Sequence, residues 1–205
     1  MAVSYTNEGY DEQVNSLLRQ WLTLSYPDII WPAKSESSFV EREIVIQNFI
    51  QAARMNLTGI DADVQIALGI LFYNNGDYEK SIDCFNSALR VRPDDYTLWN
   101  RLGATLANSG KSEEAIGKYR QALRIRPNFV RALHNLGVSC MNIQCYQEAA
   151  ECILKALSLQ VKDTLNVSNG LWDSLKRTFA HMERKDLVEL AEKRDVNAFR
   201  SEFQF

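Results

Sequence analysis

The chain has 205 residues, enough for one compact domain or one short repeat array with a buried core. Hydrophobic residues make up 46% and charged residues 24%, and the formal charge of -3 offers no electrostatic basis for holding nucleic acid or an anionic membrane. No apolar run is long enough to cross a bilayer, so direct membrane insertion is not expected, and MAVSYTNEGYDE lacks the basic start and apolar core of a secretory leader.

In chain order, residues 1–24 read as a helical hairpin running from Tyr5 through Val14, Leu18 and Trp21. Its first helix is cut short, because the pattern asks for residues before Met1; the expectation is a piece of a longer array. Residues 27–38, PDIIWPAKSESS, read as a loop with two prolines. Residues 39–57 read as an amphipathic helix through Phe39, Ile44, Phe49, Ala52 and Ala53, like a second repeat helix whose partner has degenerated.

From residue 62 a period of 34 takes over. Gly69, Gly103 and Gly137 share it, each preceded by a leucine (Leu68, Leu102, Leu136). So do Ala88, Ala122 and Ala156, then Phe85, Tyr119 and Ile153, and also Pro93 and Pro127. This is the period and residue pattern of the tetratricopeptide repeat. The glycine and the small residue at Ser81, Ala115 and Ala149 let two helices approach. The large residue at Phe85, Tyr119 or Ile153 is expected to fill the space between hairpins, and proline ends the second helix. The predicted units are 62–95, 96–129 and 130–163, the third with Val161 where proline would stand. Residues 162–170, KDTLNVSNG, read as a turn. Two or three short helices then follow, with Trp172, Leu175, Phe179, Leu187, Leu190 and Phe199 on their apolar faces. The organisation expected is a degenerate or truncated hairpin, loop and helix over 1–61, three complete repeats over 62–163, and a helical cap over 164–205. The fold class is all-α: a solenoid of helical hairpins wound as a superhelix.

Chemistry-bearing residues are sparse. Cys84, Cys140, Cys145 and Cys152 include no C-x-x-C pair, and there are only two histidines, so no metal site and no cofactor is expected. The cysteines read as reduced core residues. His134 and His181 stand outside any Ser/His/Asp or Cys/His motif, and no glycine-rich phosphate loop is present, which points away from an enzyme.

Stacked hairpins line a concave face with their first helices, and such faces take extended peptides. Residues there that defy helix propensity are candidate contacts. Asn100 sits mid-helix in YTLWNRLGATLAN and Asn135 sits similarly in VRALHNLGVSCMN, where asparagine is a poor helix former. Arg131 opens its helix, where the dipole disfavours a cation; it is either solvated, paired with an acid, or there for a ligand. Asn74, Asn108 and Asn142 recur every 34 residues near helix ends, with Asn7 in the matching place. They are either left-handed caps or further rungs of the same ladder. Amide donors and acceptors with one guanidinium suit the backbone of an extended peptide and a terminal carboxylate.

The stretches DYTLWNRLGATLANSGKSEEAIGKYRQAL and PNFVRALHNLGVSCMN resemble the peroxisomal import receptors, the peroxin-5 family. AVSYTNE, DADVQIALGILFYNNGDY and SNGLWDSL extend the resemblance over nearly the whole chain. It implies a cargo-receptor domain that binds C-terminal Ser-Lys-Leu-like type 1 targeting signals for import into the peroxisomal matrix. Asn100, Asn135 and Asn142 would contact the signal's backbone, and Arg131 would help hold its carboxylate. Arg101 and Ala104 would border the pocket for the terminal leucine, with Tyr78 and Ser168 near the groove. The resemblance also implies a cytoplasmic protein cycling to the peroxisomal membrane, meeting docking proteins through an N-terminal half that this chain lacks. The first three of about seven repeats, which supply acidic and polar contacts, are absent as well.

A channel-regulating paralogue of these receptors shares LWNRLGATLAN and binds similar tripeptides. A co-chaperone clamp for acidic tails is a different class; it needs several cations on the concave face, and Asn135 stands one turn after Arg131 where a second is expected.

Overall fold

The computed structural model describes residues 11–32, 38–55, 59–160 and 165–205. Among the described residues there are ten α-helices, one short 3-10 turn and no strand. The chain divides into two compact units, Met1–Asp94 and Asp95–Phe205. The N-terminal segment through residue 10, including Tyr5 and Asn7, lies outside the described residues.

The first unit holds α1 (Asp11–Ser25), α2 (Ser38–Met55), α3 (Ala62–Asn74) and α4 (Tyr78–Val91), each packed on the next. Val14, Leu18 and Leu22 of α1 and Val45, Ile46, Phe49 and Ala52 of α2 are buried, and Trp21 stacks on Phe49 at 5.9 Å. Polar contacts tie the loops down. Arg19 pairs with Glu41 at 2.5 Å and donates to Pro32 O at 2.9 Å, and the Tyr26 hydroxyl donates to Asp61 at 2.6 Å. Asp61 also caps α3, accepting from Asp63 N and Val64 N.

The second unit holds α5 (Tyr96–Asn108), α6 (Ser112–Ile125), α7 (Val130–Asn142), α8 (Tyr146–Gln160), α9 (Leu165–His181) and α10 (Lys185–Glu192), closed by the turn Val196–Phe199. The pairs α5/α6 and α7/α8 are hairpins like α3/α4, and α9 packs on α8. Helix α9 starts at Leu165, inside the segment that local composition marks as a turn. Asparagine, serine and glycine are weak helix formers, but Leu171, Trp172, Leu175 and Phe179 are buried on one face of α9, and tertiary burial outweighs local propensity. Phe179 stacks on Phe199 at 5.4 Å, and Arg184 holds Asp186 at 2.6 Å while also pairing with Glu202.

All three hairpins share one contact. A Cβ built on Gly69 would lie 2.7 Å from Cε1 of Phe85; on Gly103, 2.6 Å from Cε1 of Tyr119; on Gly137, 2.7 Å from Cγ1 of Ile153. Real Cβ atoms do not approach this closely. The large residue therefore seats on the glycine of its own hairpin, rather than only filling space between hairpins. Ser81, Ala115 and Ala149 are fully buried, and Ser81 donates to Gly69 O at 2.7 Å.

The hairpin turns place Gly76 and Gly110 at φ +80 and +83, with Gln144 at φ +64 at the third equivalent position. The left-handed residue thus comes two positions after Asn74, Asn108 and Asn142, which are the last helical residues, so left-handed capping does not explain those asparagines. Cys84 and Cys140 are buried and Cys152 is partly buried. Burial pushes their thiols up to about 11, 12 and 12, which keeps them protonated. Cys145 is exposed, unlike the core residue its pattern suggests, because it sits in the turn before α8.

Two glycines of α5/α6 predict opposite outcomes. Gly103→Ala forces a methyl into Tyr119 and should destabilise by about 1–3 kcal/mol. Gly117 is exposed in α6 with nothing within 4 Å of an added Cβ, so Gly117→Ala should stabilise by roughly 0.5–1 kcal/mol. Chemical denaturation of the two variants checks both signs; a neutral Gly103→Ala would contradict the close approach.

Candidate functional site

Within the second unit, α7 touches both α5 and α9, so the first helices of successive hairpins lie side by side. Asn100, Ala104 and Asn108 fall along one side of α5 at four-residue spacing, with Arg101 beside them. Arg131, Asn135 and Asn142 fall along one side of α7 at spacings of four and seven residues. Asn108, Arg131 and Asn142 are exposed, Arg101, Ala104 and Asn135 are half-buried, and Asn100 is 6% exposed. Ser168 belongs to the first turn of α9, and its side chain is outside the described residues. Tyr78 lies in the first unit, where it opens α4 and meets the ring of Tyr73 edge-on at 5.8 Å.

Two of the mid-helix asparagines meet. Asn135 Nδ2 donates to Asn100 Oδ1 at 3.1 Å, joining α7 to α5. The bond leaves the Asn100 amide hydrogens and the Asn135 carbonyl oxygen unspent. An amide NH2 and a carbonyl oxygen, held on neighbouring helices, match the C=O and N–H of a peptide unit.

The start of α7 differs from its counterparts. Asp61 and Asp95 cap α3 and α5 through their carboxylates, but Phe129, 34 residues on from Asp95, gives α7 no side-chain cap. Its ring packs on Tyr96 at 4.8 Å instead. The first turn of α7 carries no acidic residue, so nothing negative there offsets Arg131. Among the described residues Arg131 makes no ion pair, whereas Arg92, Arg120 and Arg184 are each paired with a carboxylate at 2.6 Å. An uncapped helix start and an unpaired guanidinium together favour an anion. Counting back one period from Phe129 reveals this loss of a capping acid in the sequence, but caps lie outside the repeat's glycine and alanine pattern.

On the flank of α7 that meets α9, in the row next to Arg131, His134 Nε2 lies 2.9 Å from Ser174 Oγ. Burial, and then repulsion from Arg177, hold the His134 pKa below the ordinary histidine value, so the ring is neutral at neutral pH. Among the described residues no group of three or more potential metal ligands is present, and no helix is long and apolar enough to cross a membrane.

Known proteins share this architecture. Two tetratricopeptide-repeat family models match, over residues 66–128 and 130–162. The peroxisomal targeting signal receptor of Yarrowia lipolytica is 51% identical over 100% of this chain and 37% of its own length. The chain belongs to the family of the peroxisomal targeting signal receptors. The Candida albicans receptor is 48% identical over 100% of this chain and 38% of that protein. The chain thus spans little more than a third of the length of these receptors. Among solved structures, MamA (residues 41 to the end) from Desulfovibrio magneticus RS-1 aligns with a TM-score of 0.69 at 17% identity, covering 93% of this chain and 97% of that one. The first repeat domain of Spaghetti (RPAP3), bound to an HSP90 peptide, aligns at 0.54 and 17%, covering 60% and 93%. At such identities these two carry the fold alone.

The asparagine pair predicts a small stability effect. Asn100→Ala removes the acceptor of Asn135, worth about 0.5–1.5 kcal/mol, while alanine recovers up to roughly 0.7 kcal/mol of helix propensity. Thermal denaturation should show a net loss under about 1 kcal/mol; a loss above about 2 kcal/mol would make Asn100 a structural residue first.

Proposed function

We propose that this chain is the peptide-binding part of a cargo receptor that takes C-terminal Ser-Lys-Leu-like targeting signals for import into the peroxisomal matrix. The observation that carries the reading is the Asn135–Asn100 amide pair beside Arg131, at a helix start stripped of its capping acid. In the complex, the free carboxylate pairs with Arg131, and the Asn100 and Asn135 amides bracket the signal's backbone. Asn108 and Asn142 extend the ladder. Arg101 and Ala104 border the terminal leucine, with Ser168 as an outlying contact. The receptor names of the relatives support a binding role rather than a catalytic one. The whole receptor works between cytoplasm and peroxisomal membrane, cycling between them, and meets docking proteins through segments other than this one.

Charge-assisted hydrogen bonds contribute roughly 1.5–3 kcal/mol each. Fluorescence titration with a peptide ending in Ser-Lys-Leu should therefore show binding weakened about ten- to a hundred-fold when its C-terminus is amidated, and by a similar factor in Arg131→Ala. Equal affinity for acid and amide would refute carboxylate recognition and turn the groove over to internal segments.

A further inference from the structure

His134 stands between two residues assigned to the peptide, three after Arg131 and one before Asn135. Its ring is half-buried and anchored at one nitrogen only. Ser174 has a single hydroxyl hydrogen and gives it to Gly170 O at 2.9 Å, so its oxygen accepts from His134 Nε2–H. That bond selects the neutral tautomer and leaves Nδ1 a bare acceptor, with no donor reaching it among the described residues. Arg177, exposed on α9, is the charged group that acts on the ring; α5, α6 and α8, the other helices packed against α7, contribute none among the described residues.

Building on the peptide-binding reading above, we propose that His134 is a further ligand-contacting residue and takes up a proton when a peptide carboxylate binds. A carboxylate paired with Arg131, one helical turn before His134, brings a negative charge beside the ring, and an opposite charge favours the imidazolium. The proton comes from solvent and enters at Nδ1. The new Nδ1–H then donates to the carboxylate as a charge-assisted bond, while Nε2–H stays on Ser174. Release of the peptide returns the proton. Without peptide, burial and Arg177 keep the ring's pKa low; with peptide, the carboxylate raises it. Affinity for a free-acid peptide therefore climbs as pH falls through the bound-state pKa, and it levels off below the free-state one. The peptide carboxylate itself stays ionised across this range.

The test is a titration of the 205-residue chain with free-acid and amidated peptides ending in Ser-Lys-Leu, from about pH 8 to about pH 5.5, a window set by histidine. It compares the wild type with His134→Gln, which keeps a donor but cannot titrate. The wild type should bind the free acid roughly three- to tenfold more tightly at the acid end, equivalent to a pKa rise of about half to one unit on binding. The amide should show no such slope, and neither should His134→Gln. NMR titration of the His134 ring should show its pKa rising when free-acid peptide is added. If the wild type and His134→Gln share one slope, or if acid weakens wild-type binding of the free acid, the role of His134 is overturned while carboxylate recognition stands. If the wild type binds free acid no better than amide near pH 7.5, carboxylate recognition fails and the His134 proposal falls with it.

Discussion

The contact between a glycine and one large side chain governs this architecture. At Gly69, Gly103 and Gly137 the first helix of a hairpin comes so near the second that Phe85, Tyr119 or Ile153 occupies the space of a Cβ. A glycine inside a helix is unfavourable by roughly 0.5–1 kcal/mol relative to alanine. Its recurrence at a fixed place shows that interhelix packing outweighs that penalty each time. Once this contact is set, the small residues at Ser81, Ala115 and Ala149 can be buried against it, and each hairpin presents its first helix in the same rotational setting.

The site inherits its regularity from that setting. Because α5 and α7 occupy equivalent places in successive hairpins, residues at four-residue spacing on one fall beside those on the other. The Asn135–Asn100 bond is the direct sign of this. Departures from repetition then supply the chemistry. Phe129 in place of a capping aspartate leaves the start of α7 without a negative group, and Arg131 adds a positive one. His134 reaches instead toward α9, tying the helix that carries Arg131 to the C-terminal helices through Ser174. In the proposed peptide site, the recurring asparagines extend the ladder, while the charge comes from positions that do not repeat.

Much of the fold is legible in the sequence because its governing contact is local: glycine and large residue stand 16 positions apart in every hairpin. The asparagines attract notice by their poor helix propensity, a one-residue property that needs no coordinates. Pairwise geometry is another matter. Helical periodicity says which residues share a face, but not that Asn135 donates to Asn100 or that Ser174 fixes the His134 tautomer; those depend on rotamers and on the distance between helices. Composition also misplaces the start of α9, since the polar run before Leu171 becomes helical through burial further along. Cys145 looks like a core cysteine in pattern, yet the turn before α8 turns it outward.

The central claim is that the asparagine pair and Arg131 form one recognition surface for a peptide's C-terminus. The most direct measurement is an NMR titration that follows side-chain amide and guanidinium resonances while a free-acid Ser-Lys-Leu peptide is added. The account predicts that the Asn100 and Asn135 amides and the Arg131 guanidinium shift together along one saturating curve, while the amides of Asn15 and Asn197 stay in place. Saturable binding that leaves Asn100, Asn135 and Arg131 unmoved would contradict it.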